Sequence, residues 1–146
     1  MHLPTKALAI AAAALVAVAG CDSGSTRTAT PGHQEGPPLV GTEWRLTSYR
    51  FPGDDPIPVP ATYGGTLRLD GRGHFSAKIC NGMAGGATLD GARLTLTPGP
   101  HTLIGCRPLA VENQFDDTTR DTVRWAITSR TLTLTSRDGH QLTFRA

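Results

Sequence analysis

From Trp44 to the C-terminus, apolar residues recur at every second position in short runs separated by turn residues. Trp44 and Leu46, Leu67 and Leu69, Phe75, Ala77 and Ile79, Leu94 and Leu96, Leu132 and Leu134, and Leu142 and Phe144 alternate with polar residues, threonine above all. Successive side chains of a strand point to opposite faces, so these runs suit antiparallel strands with one face in a core and one in water. Asp70-Gly71, Asp90-Gly91 and Asp138-Gly139 each lie between two runs. They predict tight hairpins of type I′, whose central residues both need positive φ. The expected fold class is α+β, mostly antiparallel β: a meandering sheet or partly open barrel of about seven to eight strands, with one helix packed against it.

The helix is expected after Cys106-Arg107, where Pro108 suits a first helical turn. Val111, Phe115, Thr118 and Thr122 then fall on one face at helical spacing. Glu112 near the start and Arg120 and Arg124 near the end suit the macrodipole, while Asp116 and Asp117 face water. Val123, Trp125 and Ile127 restart the alternation.

The N-terminus reads differently. Lys6 precedes an apolar run from Ala7 to Ala19, too short for a spanning helix and right for an export signal. Val18-Ala19-Gly20-Cys21 then resembles a bacterial lipobox, in which small residues precede the cysteine that takes a diacylglyceryl group. Two acyl chains hold a protein stably at a membrane where one is marginal. Asp22 to Pro38 contains no large apolar side chain, so it cannot offset the entropy of ordering and reads as a tether. The expected organisation is a lipoprotein signal peptide over 1–20, a lipidated tether over 21–38 and one domain over 39–146. The expected location is the extracytoplasmic face of the cell membrane.

A net charge of +2 without a Lys/Arg cluster gives no electrostatic case for nucleic acid. Once Cys21 is lipidated, Cys80 and Cys106 remain as an even pair in a disulfide-permissive compartment, which favours a bridge. Two unpaired buried thiols, or a reactive cysteine served by His74 or His101, are the alternatives. No nucleophile elbow, zinc-protease helix, P-loop or dinucleotide fingerprint occurs. His74, His101 and His140 are scattered, and Asp54 and Asp55 sit in a proline-rich loop bounded by Pro52 and Pro60. No catalytic residue, metal or cofactor is therefore expected. The other reading is a secreted enzyme inhibitor presenting the Pro52–Pro60 loop, or a small enzyme of unrecognised type.

Trp44-x-Leu46, Gly73-His74-Phe75-Ser76, Cys80-Asn81 with glycines soon after, Cys106-Arg107-Pro108, Glu112-x-x-Phe115, and Leu132-x-Leu134 followed by Leu142-x-Phe144 together resemble the META domain, the HslJ-like family. The chain departs from the family pattern at Ile79, where glycine is common, and at Ala87, where an aromatic often follows a glycine-rich turn. The resemblance implies a small antiparallel β structure wrapped against one helix in an envelope protein, linked to stress and antibiotic tolerance, with no established catalytic residues. It implies that Cys80 and Cys106 form the bridge, that Asn81 bonds local backbone in a turn, that Glu112 starts the helix, and that Trp44 is structural. A further similarity, to pilot lipoproteins, implies an envelope protein or an acyl chain as partner. The acyl chain would lie in an apolar groove between helix and sheet lined by Val111, Phe115, Leu67 and Leu96.

Overall fold

The computed structural model describes residues 34–102, 104–105, 107 and 109–146. The expected signal segment, Cys21, the expected tether up to residue 33, Cys106 and Pro108, the residue expected in the first helical turn, lie outside them. The strands are β1 (Gln34–Glu35), β2 (Glu43–Arg50), β3 (Ile57–Pro58), β4 (Thr66–Leu69), β5 (His74–Lys78), β6 (Gly82–Asp90), β7 (Arg93–Pro98), β8 (Val123–Thr128), β9 (Thr131–Thr135) and β10 (Gln141–Arg145). One α-helix, α1 (Leu109–Thr119), lies between β7 and β8.

Apart from the two-residue β1 and β3, every strand pairs antiparallel with the next along the chain, and β10 pairs back onto β2. The product is a closed antiparallel barrel of eight strands with one helix packed against it. The two expected forms were a meandering sheet and a partly open barrel; the barrel is closed by the β2–β10 seam, which runs from Arg50↔Gln141 to Arg45↔Arg145 with a bulge at Thr143/Phe144. Closing the ring removes the exposed edges that an open sheet would present.

The alternating apolar residues all point inward. Trp44, Leu67, Leu94, Ile127, Leu132, Leu134, Leu142 and Phe144 are fully buried in one core. Each such side chain contributes roughly 1.5–3 kcal/mol relative to its exposed state. The Trp44 indole donates from Nε1 to the carbonyl of Leu39 at 3.1 Å, which satisfies its polar atom and draws Leu39 over the barrel's mouth.

All three expected hairpins form, but none is a two-residue Asp-Gly turn of type I′. Between β4 and β5, the Asp70 carboxylate accepts from the backbone of Arg72 at 2.9 Å and of His74 at 2.8 Å, and it is Gly73 that takes the left-handed conformation (φ 81°). Asp90 still belongs to its strand, paired with Arg93, so Gly91 (φ 53°) is the first central residue of that turn. In the third hairpin, Gly139 N donates to Ser136 O at 3.2 Å and Gly139 (φ 92°) closes a three-residue loop. A fourth tight turn, between β8 and β9, carries no glycine: Ser129 itself adopts φ 54°.

Two segments depart from expectation. The glycines after Asn81 do not make a turn but run through β6, a nine-residue strand. Gly85 is needed there because a Cβ would stand 2.1 Å from the Thr97 carbonyl oxygen. Within the expected tether, Gln34 and Glu35 pair in parallel with Ile127 and Thr128, so the ordered chain begins upstream of Leu39. The proline-rich segment is also pinned, with Ile57 and Pro58 pairing onto Tyr49 and Ser48 of β2.

In an up-and-down barrel, successive connections alternate between the two ends. The β2–β4 loop, the β5–β6 turn, the β7–β8 connection with α1, and the β9–β10 turn therefore share one end. The helix ends at Thr119, so Thr122 and Arg124 are not on it; Arg124 lies on β8. Its buried face holds Val111 and Phe115 but also Glu112, Gln114, Thr118 and Thr119. The two threonine hydroxyls bond the carbonyls of Gln114 and Phe115, which lets β-branched polar residues sit buried in a helix.

Candidate functional site

The densest polar constellation in the described chain lies where α1 meets the β5–β6 turn. Glu112 is buried at 4% exposure, and its carboxylate accepts from Cys80 N at 2.9 Å, Asn81 N at 2.5 Å and Asn81 Nδ2 at 2.8 Å. The Asn81 side-chain oxygen in turn accepts from Ile104 N at 2.7 Å and Thr102 Oγ1 at 3.2 Å. Asn81 thus joins three segments: its own turn, the connection after β7, and the helix. Its bonds to Thr102, Ile104 and Glu112 span 21 to 31 residues, so it does more than bond local backbone in a turn as expected. Glu112 likewise does more than start a helix; it satisfies backbone donors of another hairpin.

Burial acts to raise the Glu112 pKa, but hydrogen bonds from the Asn81 backbone and side chain and the Cys80 backbone, together with nearby His101, outweigh it and hold the carboxyl below its ordinary value. One turn on, Asp116 is pushed up, first by desolvation and then by the negative charge of Glu112. Two carboxylates with opposite shifts resemble an acid–base pair. Here, however, both Glu112 oxygens are occupied by structural donors, which suits a fastening better than a proton-transfer site.

A second fastening lies farther along the helix. Gln114 Nε2 donates to His140 Nδ1 at 2.9 Å in the β9–β10 turn, and the His140 ring packs edge-on to Phe51 with centroids 5.8 Å apart. Directly after Gln114, Phe115 enters the core at 1% exposure. The helix is therefore a plug, bonded to the rim at two points and packed into the barrel through Phe115.

The residues expected to line an apolar groove are placed otherwise. Leu67 on β4, Leu96 on β7 and Val111 and Phe115 on α1 are all buried within the single core. Three surface cavities of about 470, 280 and 230 Å³ are lined by other residues. An acyl chain at those four positions would have to displace packed side chains.

The histidines do not converge. His74 sits 3.4 Å from Asp70, His101 lies near Gly99 O, and His140 is held by Gln114. Asp54 and Asp55 are exposed on the proline-rich loop. Among the described residues no group of three His, Cys, Asp or Glu could hold a metal ion, and no helix is long and apolar enough to cross a membrane. Cys80 Sγ lies 3.5 Å from the Ile104 carbonyl oxygen, two residues before Cys106 in the chain. Sequence reasoning missed the burial of Glu112 and Gln114 because hydrophobic periodicity has no signal for a polar side chain that is buried and satisfied.

Solved structures with the same fold are known. They include the NMR structure of a protein from Burkholderia xenovorans, with a TM-score of 0.59, 22% identity, and coverage of 73% of this chain and 82% of that one. A second NMR structure has a TM-score of 0.57 and 20% identity over 70% of this chain and 86% of that one. A crystal structure of an uncharacterized protein from Bacteroides eggerthii has a TM-score of 0.52 and 17% identity, covering 74% and 98%. At these identities the likeness concerns the fold alone. A search of curated proteins gave no match. The META domain family model matches residues 37–146, which include every barrel strand, the helix and the Asn81–Glu112 fastening. The chain therefore belongs to the META domain family.

Proposed function

We propose that this protein is an envelope lipoprotein: a non-catalytic META domain, serving binding or envelope maintenance, held at the extracytoplasmic face of a membrane by a diacylglyceryl group on Cys21. The observation that carries this reading is Val18-Ala19-Gly20-Cys21 at the end of an apolar run of export-signal length. The character of the domain supports it. Its polar constellation is consumed in fastening the helix, its histidines are dispersed, and its apolar side chains fill the barrel. A role in envelope stress or antibiotic tolerance would follow from family membership.

Cys21→Ala decides the anchoring. The parent protein should be labelled by radioactive palmitate and remain in the membrane pellet after a high-salt wash. Cys21→Ala should lose the label and leave the washed pellet. An unlabelled parent, or a variant that is equally firmly sedimented, overturns the reading.

Export would also let Cys80 and Cys106 form a disulfide. Support comes from the Asn81 amide, which bonds Ile104 N and places that loop beside the Cys80 sulfur. Closing a loop of about 26 residues stabilises a fold by roughly 3–4 kcal/mol in the chain-entropy model. In unreduced exported protein, alkylation should add no mass at either cysteine, and after reduction it should add to both. Alkylation without reduction would rule the bridge out.

A further inference from the structure

The largest of the three cavities, about 470 Å³, is lined by Arg93, Thr122, Val123, Arg124, Thr135 and Arg137. Arg93 on β7 and Arg124 on β8 are direct cross-strand partners, and Arg124 is also the partner of Thr135 on β9. Like charges placed opposite one another in an antiparallel pair are destabilising, so this arrangement works against the fold. No carboxylate relieves it. Asp90 is the cross-strand partner of Arg93, Asp121 precedes Thr122, and Asp138 follows Arg137, yet none forms an ion pair with the three guanidiniums. The ion pairs among the described residues are Arg45–Glu43, His74–Asp70 and Arg120–Asp117. Three exposed guanidiniums thus surround one concavity with their donors unspent.

The geometry points to a phosphoryl-binding site formed by Arg93, Arg124 and Arg137, whose occupant is the headgroup phosphate of an anionic phospholipid. Guanidinium forks match phosphate oxygens in pairs, and three around one cavity can share a single anion, with the Thr135 hydroxyl as a further donor. The lipid is favoured by where the chain enters the barrel. β1 runs parallel to β8, with Gln34 beside Ile127 and Glu35 beside Thr128, so the upstream end of β1 is the end nearer Arg124. Arg124 is three residues along β8 from Ile127, or about 10 Å. Twelve residues lie between Cys21 and Gln34, and a flexible chain of that length spans about 20 Å. An anchor on Cys21 would thus hold the arginine cavity close to a lipid surface at high effective concentration.

This inference rests on the lipoprotein reading for its occupant, so its test leaves the anchor out. Segment 22–146 retains every described residue and the whole core. It should co-sediment at low salt with vesicles of mixed phosphatidylglycerol and phosphatidylcholine, and not with phosphatidylcholine alone. Replacing Arg93, Arg124 and Arg137 together by Gln should lower that partition roughly a hundredfold, since each basic residue at an anionic surface contributes about fivefold. Arg45, Arg68 and Arg72 are exposed and lie on or beside β2 and β4, on the far side of the ring from β8. Replacing these three by Gln removes the same charge and should change the partition only a few-fold, and neither triple variant should unfold at lower urea than the parent, the Arg93/Arg124/Arg137 variant gaining slightly from the lost cross-strand repulsion. Equal losses in the two variants would mean diffuse charge and would overturn the site. No preference for phosphatidylglycerol would overturn it as well, and saturable binding of inorganic phosphate with no vesicle binding would replace the lipid by a free anion. Because the segment lacks Cys21, these results are independent of whether Cys21→Ala releases the full chain.

Discussion

Glu112→Ala should cost the domain about 3–5 kcal/mol at neutral pH, because it strands several buried donors at once. Cys80 N, Asn81 N and Asn81 Nδ2 all end on this carboxylate, and each unsatisfied buried donor costs about 1–3 kcal/mol, with water recovering part where the turn is half-exposed. Set against a typical total of about 5–15 kcal/mol, the change moves the domain toward the limit of folding. Glu112→Gln should cost less, since one oxygen still accepts, but its amide nitrogen presents a donor where an acceptor is needed. Urea unfolding of the three proteins gives the order parent, Gln, Ala. The pH dependence adds a second readout. The Glu112 pKa is depressed in the folded state from its ordinary 4.5, so its stabilisation is fully present above 4.5 and is lost as pH falls through the lower folded value. The parent should therefore lose stability on acidification below 4.5, and Glu112→Gln should lack that share of the loss. A Glu112→Ala protein within about 1 kcal/mol of the parent, with an unchanged acid limb, would show that the helix is held by something else.

Phe115→Ala is the second large effect, at about 3–5 kcal/mol. The ring is 1% exposed, next to the Gln114 fastening of α1, and the barrel wall around it is a closed hydrogen-bonded ring that cannot collapse far into the space left behind. Ile104 provides the contrast: at 67% exposure on the neighbouring loop, its replacement by Ala should change stability by no more than about 0.5 kcal/mol. The same measurement bears on the apolar groove. Were Phe115 the wall of an open groove, its loss would expose little new surface to water and cost far less than a core truncation. A change below about 1 kcal/mol would return the groove to consideration.

Much of the barrel was legible because period-two alternation is a direct consequence of strand geometry. Leu67, Phe75, Leu94, Leu132 and Phe144 had to share one face, and they do. The helix was legible from Val111, Phe115 and Thr118, though its end was not, since Thr119 to Val123 carries no glycine or proline to stop it. Turn positions were found and turn types were not. Asp90 joins the strand and Gly91 opens the turn because cross-strand register, not the dipeptide, selects the central residues. β6 was hidden by its glycines, which the sequence presents as loop formers and the fold uses for close approach to β7.

The sequence by itself determined which apolar side chains are inside and that one helix interrupts the strands, because both follow from neighbours a few residues apart. Only the tertiary structure decided that β10 returns to β2, that Asn81 and Glu112 meet across 31 residues, and that Arg93, Arg124 and Arg137 surround one cavity. The physical reason is common to all three. Ring closure and cross-strand register depend on the summed twist and stagger of every strand between the partners, a quantity that no local pattern encodes.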